Sequence, residues 1–204
     1  MCIRDRNHRD YYDGDRYGFN PTLRLEISPV TTLDLSYEHA DHERFIDRGV
    51  PTLNGEPVEA FEDIVFGDTD TNLQTLRADI YRANLSHEFS ETRKGNLVVQ
   101  YSDFQKLYKN YYASGYSGGD TFTADGYLDP TERNNLILSG NIVNEFQTGS
   151  VKHTLLVGAE IIDTENENYR YNTFFITTED DNEVFNITRP CLLYTSDAAD
   201  DPAS

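Results

Sequence analysis

Six aromatic side chains surround a flexible Ser/Gly stretch in the middle of the chain, and they are the residues best suited to contact a ligand. The stretch runs from Ser114 to Gly119. A tyrosine offers an apolar ring to a flat ligand and a hydroxyl to a polar group on it. The candidate ligand contacts are Tyr108, Tyr111, Tyr112, Tyr116, Phe122 and Tyr127. Aromatic residues at strand ends are also ordinary structural material, so both interpretations stay open.

Other chemically capable residues have simpler interpretations. The segment from Asp68 to Asn72 begins like a calcium loop, yet Leu73 stands where the EF-hand pattern requires glycine, so we expect a turn there. His39 and His42 are three residues apart, which puts them on opposite faces of a regular strand. No grouping of nucleophile, base and orienting residue is visible, and no glycine-rich phosphate loop follows a strand. We therefore expect neither an enzyme nor a resident metal or cofactor.

Composition narrows the class of protein. The 204 residues are 37% hydrophobic and carry a formal net charge of -19, with a mean hydropathy of -0.64 and a pI near 4.4. Nucleic acid is bound by neutralising phosphates with Lys and Arg, so this acidity argues against a nucleic-acid partner. No run approaches the roughly 18 apolar residues of a membrane helix. Mean hydropathy does not exclude a membrane barrel, because only alternate residues of its strands face lipid.

Six stretches of alternating apolar and polar residues must position these side chains. They are joined alternately by a short turn and a long polar loop. The predicted short turns are 28–31, 90–95 and 148–150, and the predicted long loops are 49–74, 113–131 and 163 onward. Period-two alternation indicates β-strands, and an ambiguous pattern beyond Asp103 predicts a bulge there. Short turns at one rim and long loops at the other are typical of an outer-membrane barrel with its short turns in the periplasm.

The predicted fold is therefore all-β, an antiparallel up-and-down meander of about six strands. Two strands look as long as a membrane requires, at 31–48 and 96–112. Aromatic residues near the turns and loops suit interfacial girdles: Phe89, Tyr108, Tyr111, Tyr112 and Phe146. A soluble sandwich, with one face packed and the other wet, would show the same alternation.

The two ends differ from the rest of the sequence. Residues 1–6 and 191–204 resemble translated sequencing-adapter read-through, so we expect them to be artefactual and the domain to occupy residues 7–190. The two cysteines, Cys2 and Cys191, both lie in these ends. A disulfide is therefore not expected.

Three segments resemble TonB-dependent siderophore receptors. They are 47–72, with the sequence DRGVPTLNGEPVEAFEDIVFGDTDTN, 100–112, with QYSDFQKLYKNYY, and 146–161, with FQTGSVKHTLLVGAEI. The resemblance implies that the chain is a partial segment of a transmembrane β-barrel of about 22 strands whose lumen is filled by a plug. It also implies the ligand and partners of the parent protein: a ferric siderophore, the lipid of the bacterial outer membrane, and TonB, which acts through a plug that we expect to lie in the parent protein and not in this segment.

Two other interpretations remain open at this stage. One is a different outer-membrane barrel, either a porin or a TonB-dependent receptor for a vitamin or glycan. The other is a soluble extracellular sheet domain that binds carbohydrate. A second sheet packed on the face of Leu33, Leu35, Leu97, Val99, Leu136 and Leu138 would favour the soluble domain.

Overall fold

The computed structural model describes residues 13–187, and the predicted artefactual ends lie outside them. It contains eleven strands within that range. They are β1 (Gly14–Phe19), β2 (Thr22–Ser28), β3 (Thr31–Phe45), β4 (Thr52–Leu53), β5 (Glu56–Pro57), β6 (Leu73–Ser90), β7 (Arg93–Gly115), β8 (Thr121–Thr148), β9 (Val151–Asn168), β10 (Tyr171–Asn172) and β11 (Asn182–Asn186). A short 3₁₀ turn covers Glu59–Phe61. Among these residues, no helix is long and apolar enough to cross a membrane.

Nine of the strands form one antiparallel sheet in chain order. β1 and β2 both pair with β3, on its later and earlier halves respectively, and therefore act as one interrupted strand. The interruption falls at Pro21, which lacks the N–H that a ladder needs. β9, β10 and β11 likewise follow one another along β8. The sheet is thus six strands wide, as predicted, and its fold class is confirmed.

One face of the sheet is apolar at the end near the short turns. Leu85 pairs with both Leu33 and Leu97, and Leu138 pairs with Val99 and Ile161. These side chains are exposed: Leu97 by 45% and Ile161 by 66%. The only other sheet in the described residues is the two-residue pair of β4 and β5. Residues 13–187 therefore contain no second sheet of the kind that a soluble sandwich requires.

Rows of rings border this apolar band at both ends. Tyr37, Tyr81 and Tyr101 stack across β3, β6 and β7, with centroids 4.9 and 6.5 Å apart. Near the short turns, the ring of Phe89 lies 4.6 Å from that of His87. Tyr81 to Phe89 is nine residues of β6, which matches the span of about 9 to 11 residues that a membrane strand needs. The band has the height and aromatic borders of a lipid-facing barrel surface.

The opposite face of the same strands is largely polar. Cross-strand hydrogen bonds join its side chains, as between Nδ2 of Asn135 and Oγ of Ser102 at 3.3 Å, and between the Thr164 hydroxyl and Oδ1 of Asn135 at 3.0 Å. Near the other edge, Arg24 and Asp34 form an ion pair at 2.6 Å. A polar face opposite an exposed apolar face is the arrangement of a barrel wall between lipid and an aqueous lumen.

Three predictions about the strands were wrong. Residues 113–131 do not form a long loop, because β7 runs to Gly115 and β8 begins at Thr121, leaving a five-residue tip. The pairing at Asp103 is regular, and the register shift lies between Ala113 and Gly115. The Ser, Gly and Asp residues of 113–131 have the composition of a loop because strands beyond the apolar band do not face lipid. Such strands therefore need not alternate apolar with polar residues. Similarly, β9 continues past Asp163 to Asn168.

The long connection 46–72, here called the strap, folds over the extension of β7 and β8. Its Phe66 belongs to a buried cluster with Phe122, Ala124, Phe175 and Ile187. The ring of Phe66 meets that of Phe122 edge to face, with centroids 4.9 Å apart. A buried hydrophobic cluster therefore lies at the long-loop end, beyond the apolar band.

The two faces of β7 lead to a direct test. We expect Val99→Arg, on the apolar face, to lower the free energy of unfolding from a bilayer by about 2–4 kcal/mol, because a charge would enter lipid near its midplane. The matched control is Gln100→Arg, one residue further on and on the polar face, which should change this free energy far less. Denaturant titration of the complete predicted barrel in phospholipid vesicles measures both. Equal losses would contradict the assignment of faces.

Candidate ligand site at the long-loop end of the sheet

The extension of β7 and β8 separates the six predicted ligand residues onto its two faces. Side chains alternate along a strand, and Tyr112 pairs with Asp125 while Tyr111 pairs with Gly126. One face carries Tyr108, Tyr112 and Tyr127 and continues the polar face of the wall. The other carries Tyr111 and Phe122 and is covered by the strap, as is Tyr116 at the tip of the hairpin. The six residues therefore do not form a single cluster.

Tyr108, Tyr112 and Tyr127 are brought together on the polar side. Tyr127 stacks on Tyr108, with centroids 6.0 Å apart and planes inclined by 15°. Its ring meets that of Tyr112 edge to face, also at 6.0 Å. All three side chains are half-buried, so part of their surface remains accessible. Of the six predicted ligand residues, these three therefore form the candidate site.

Two arginines that sequence reasoning missed complete this cluster. Arg48, on the strap, places its guanidinium carbon 4.7 Å from the Tyr112 ring centroid and 5.7 Å from that of Tyr127. It also donates a hydrogen bond to the Tyr127 hydroxyl. Arg170, which follows β9, lies 4.3 Å from the Tyr127 centroid. Guanidinium groups at these distances interact favourably with the faces of aromatic rings.

The two arginines differ in how far their charge is neutralised. Arg170 makes a two-point ion pair with Asp129, in which Nε lies 2.8 Å from Oδ1. Among the described residues, no carboxylate lies within ion-pair distance of Arg48. In a chain with a net charge of -19, Arg48 is therefore a local positive group held among accessible rings.

These contacts change the pKa values of two polar groups in the site, Asp129 and Tyr112. The hydrogen bond from Arg170, more than its charge, holds the pKa of Asp129 below the ordinary value of 3.8. Burial, and then the hydrogen bond to Asp125, raise the pKa of the Tyr112 hydroxyl. Both residues lie beyond the apolar band. The site thus combines the Asp129–Arg170 ion pair, the Asp125 carboxylate that accepts from the Tyr112 hydroxyl, and the guanidinium of Arg48.

A buried amide lies within the same part of β7. Asn110 is between Tyr108 and Tyr112, pairs with Tyr127 and is 1% exposed. Within the part of the chain that the structure describes, neither its side-chain oxygen nor its side-chain nitrogen has a hydrogen-bond partner. An unpaired buried amide costs about 1–3 kcal/mol. Nothing in the local sequence distinguishes Asn110 from an ordinary surface asparagine.

The strap-covered residues have a structural role. Phe122 is 5% exposed in the core cluster, and Tyr111 packs against that cluster. The ring of Tyr116 meets Phe61 of the strap at 5.4 Å, and its hydroxyl donates to the carbonyl of Gly119. In this arrangement these three side chains attach the strap to the hairpin.

The segment from Asp68 to Asn72, which begins like a calcium loop, forms a turn, and His39 and His42 lie on opposite faces of β3. The Asp68 carboxylate accepts a hydrogen bond from the N–H of Asp70, as in an Asx turn, so the predicted turn is present. His39 bonds to Asp79 on the apolar side of β3, and His42 lies on the opposite face. In residues 13–187, no group of three or more His, Cys, Asp or Glu side chains is arranged to hold a metal ion.

Comparison with known proteins finds receptors that are similar in sequence to this chain. The chain is 26% identical over 169 residues to a metal-pseudopaline receptor of Pseudomonas aeruginosa, covering 78% of this chain and 23% of that protein. It is 26% identical over 181 residues to the ferrioxamine B receptor of Salmonella typhimurium, covering 84% and 25%. No family model matches the sequence.

A solved structure shows the same fold. The ferripyoverdine receptor of the outer membrane of Pseudomonas aeruginosa aligns with a TM-score of 0.77 at 15% identity, covering 90% of this chain and 25% of that receptor. The sheet thus has the fold of a partial segment of such a receptor's β-barrel, and the predicted resemblance to TonB-dependent siderophore receptors is confirmed. The chain spans about a quarter of the length of the relatives it matches.

The ion pair of the site gives a prediction for its pH dependence. The pKa of Asp129 is lower in the folded protein than in the unfolded chain. The ion pair therefore stabilises the fold fully at pH values above the pKa of Asp129 in the unfolded chain. This stabilisation is lost as the pH falls through the pKa of Asp129 in the folded protein, because the carboxylate becomes protonated. We expect the thermal unfolding midpoint to fall less steeply between about pH 5 and pH 2 in Arg170→Gln than in the wild type.

The control for this measurement is Arg133→Gln. Arg133 lies on the same face of β8 but bonds to the amide oxygen of Asn166 rather than to a carboxylate. Its pH dependence should equal that of the wild type. An unchanged slope in Arg170→Gln would show that the ion pair does not contribute to stability.

Proposed function

We propose that this chain is one wall of an outer-membrane receptor that takes up ferric siderophores, and that Arg48 and the tyrosines Tyr108, Tyr112 and Tyr127 contact the ligand. The observation that carries the proposal is the position of this cluster on the polar face, beyond the apolar band and at the long-loop end. In a barrel of this class, that position is the outward-facing mouth of the lumen. A ligand arriving from outside would meet it first.

The chemistry of the cluster suits an anionic chelate with flat, oxygen-rich groups. Guanidinium groups donate to carboxylate and phenolate oxygens in a planar fork, and the tyrosine rings offer stacking surfaces. Arg48 supplies charge that no described carboxylate neutralises, while the Tyr127 hydroxyl holds its orientation. Iron would arrive already coordinated by the siderophore, so the wall needs no metal ligands of its own.

The remaining parts of uptake belong to the parent protein. In this proposal, a plug fills the lumen, and TonB acts on that plug to release the ligand inward. The names of the relatives, which are receptors for metal-pseudopaline and ferrioxamine B, support transport rather than catalysis. The exposed apolar face supports lipid as the surrounding partner and argues against the soluble carbohydrate-binding domain.

Ligand binding tests the proposal on the intact receptor that carries this segment. The probes are iron(III) tris(2,3-dihydroxybenzoate), which is anionic, and ferrioxamine B as a hydroxamate comparison, each with radiolabelled iron. We expect Arg48→Ala and Tyr127→Ala each to weaken binding of the catecholate complex about 5- to 10-fold, the size of a cation–π or charge-assisted contact.

The charge-matched control is Lys109→Ala. Lys109 is adjacent to Tyr108 but lies on the opposite face of β7, so its loss should leave affinity unchanged. If the wild type binds neither ferric complex, the proposed function is wrong. If it binds and Arg48→Ala has no effect, the function stands and the assigned site is wrong.

A further inference from the structure

The side chain of Asn72 takes the place of a backbone peptide group in the sheet. Its Oδ1 accepts a hydrogen bond from the N–H of Tyr111 at 2.8 Å, and its Nδ2 donates to the carbonyl of Tyr111 at 2.9 Å. Two residues of an antiparallel pair exchange the same two bonds. Asn72 is 2% exposed, so both bonds are shielded from water.

This substitution occurs where the sheet lacks a strand. β6 begins at Leu73, so beyond that point no backbone of β6 lies between the end of β3 and β7. The Nδ2 of Asn72 also donates to the carbonyl of Ile46 at 3.3 Å, and the backbone N–H of Ile46 donates to the carbonyl of Asn72 at 3.2 Å. One residue therefore ties the start of the strap to β7.

The two ends of this tie adjoin the two halves of the candidate site. Ile46 precedes Arg48 by two residues, and Tyr111 immediately precedes Tyr112. The guanidinium of Arg48 lies over the Tyr112 ring at 4.7 Å. The spacing between the strap and β7, which Asn72 fixes, is thus the spacing that brings this guanidinium onto the rings.

Gly67 provides the room that Asn72 needs. A Cβ at position 67 would overlap Nδ2 of Asn72 and would lie 2.8 Å from the carbonyl oxygen of Tyr111. The obstacle is the amide and backbone of the tie itself, so an added methyl group would displace the amide. Gly67 therefore offers a way to disturb the tie without removing any hydrogen-bonding group.

We propose that Asn72 is a positioning residue for the ligand site, acting by holding Arg48 over Tyr112 and Tyr127, and that Gly67 is the small residue this role requires. The inference rests on the proposed function, because it assigns the role of Asn72 through Arg48. In this proposal the segment from Asp68 to Asn72 has a positioning role and does not bind a metal. The strap holds Arg48 in a fixed position.

A double-mutant cycle on the intact receptor tests this proposal, with radiolabelled iron(III) tris(2,3-dihydroxybenzoate) and ferrioxamine B as probes. We expect Asn72→Ala to weaken binding of the catecholate complex about 5-fold, and Arg48→Ala about 10-fold. The double variant should bind about as weakly as Arg48→Ala alone, because Asn72 acts through that side chain. An additive loss of about 50-fold, or unchanged binding in Asn72→Ala, would overturn the proposal.

Gly67→Ala is the second variant, and it keeps every polar group of the tie. We expect its binding loss to match that of Asn72→Ala and to disappear in the same way when Arg48 is already alanine. The matched control is Asn135→Ala, which removes an amide that bridges strands on the polar face of the same wall. It should leave affinity unchanged. A loss in the control equal to that in Asn72→Ala would indicate general loosening and contradict a specific role.

Hydrogen exchange provides a readout that does not depend on the ligand. In Asn72→Ala and Gly67→Ala, the backbone amides of residues 46–50 and of Tyr111 should exchange faster than in the wild type, because the strap is no longer held to β7. Unchanged exchange in both variants would overturn the positioning role, even if the wild type bound neither probe. A wild-type receptor that binds neither probe would reject the proposed function. The exchange measurement would then still decide whether Asn72 holds the strap to β7.

Discussion

A single antiparallel sheet that meets two different environments is the constraint on which the rest of this structure depends. Because side chains alternate, a register slip of one residue would exchange the face of Leu33, Leu85 and Leu97 with the face of Asn96 and its polar neighbours. The alternation holds only as far as the tyrosine row of β3, β6 and β7. Beyond that row both faces are free to carry polar residues. β7 and β8 continue past the start of β6 as a hairpin, with β10 and β11 paired to β8.

The candidate site is a consequence of how that hairpin is stabilised. The strap buries one of its faces, and the side chains there serve the packing around Phe66 and Phe122. The other face keeps its tyrosines accessible, and Arg48 reaches it from the strap. The strap thus does two things at once: it packs hydrophobic side chains against the hairpin, and it brings the guanidinium of Arg48 onto the rings of the site.

Local sequence patterns predicted what depends on neighbours along the chain. Six strands and three short turns follow from alternation and turn residues, and the described strands confirm them. The loop predicted at 113–131 was wrong because alternation of polarity ceases outside the lipid. If residues 113–131 had been predicted as strand, Tyr111 and Tyr112 would have been assigned to opposite faces, because adjacent residues of a strand point to opposite sides of the sheet. Arg48 could not be found this way, since it meets Tyr127 across 79 residues of chain.

Anomalous scattering at the iron edge, from the intact receptor bound to a ferric catecholate, would locate the iron and so test whether this cluster contacts the ligand. We expect a peak on the polar side of the β7–β8 hairpin, with the chelate touching Arg48 and the ring of Tyr127. A peak on the strap side near Phe66, or one elsewhere in the barrel with this cluster untouched, would contradict it.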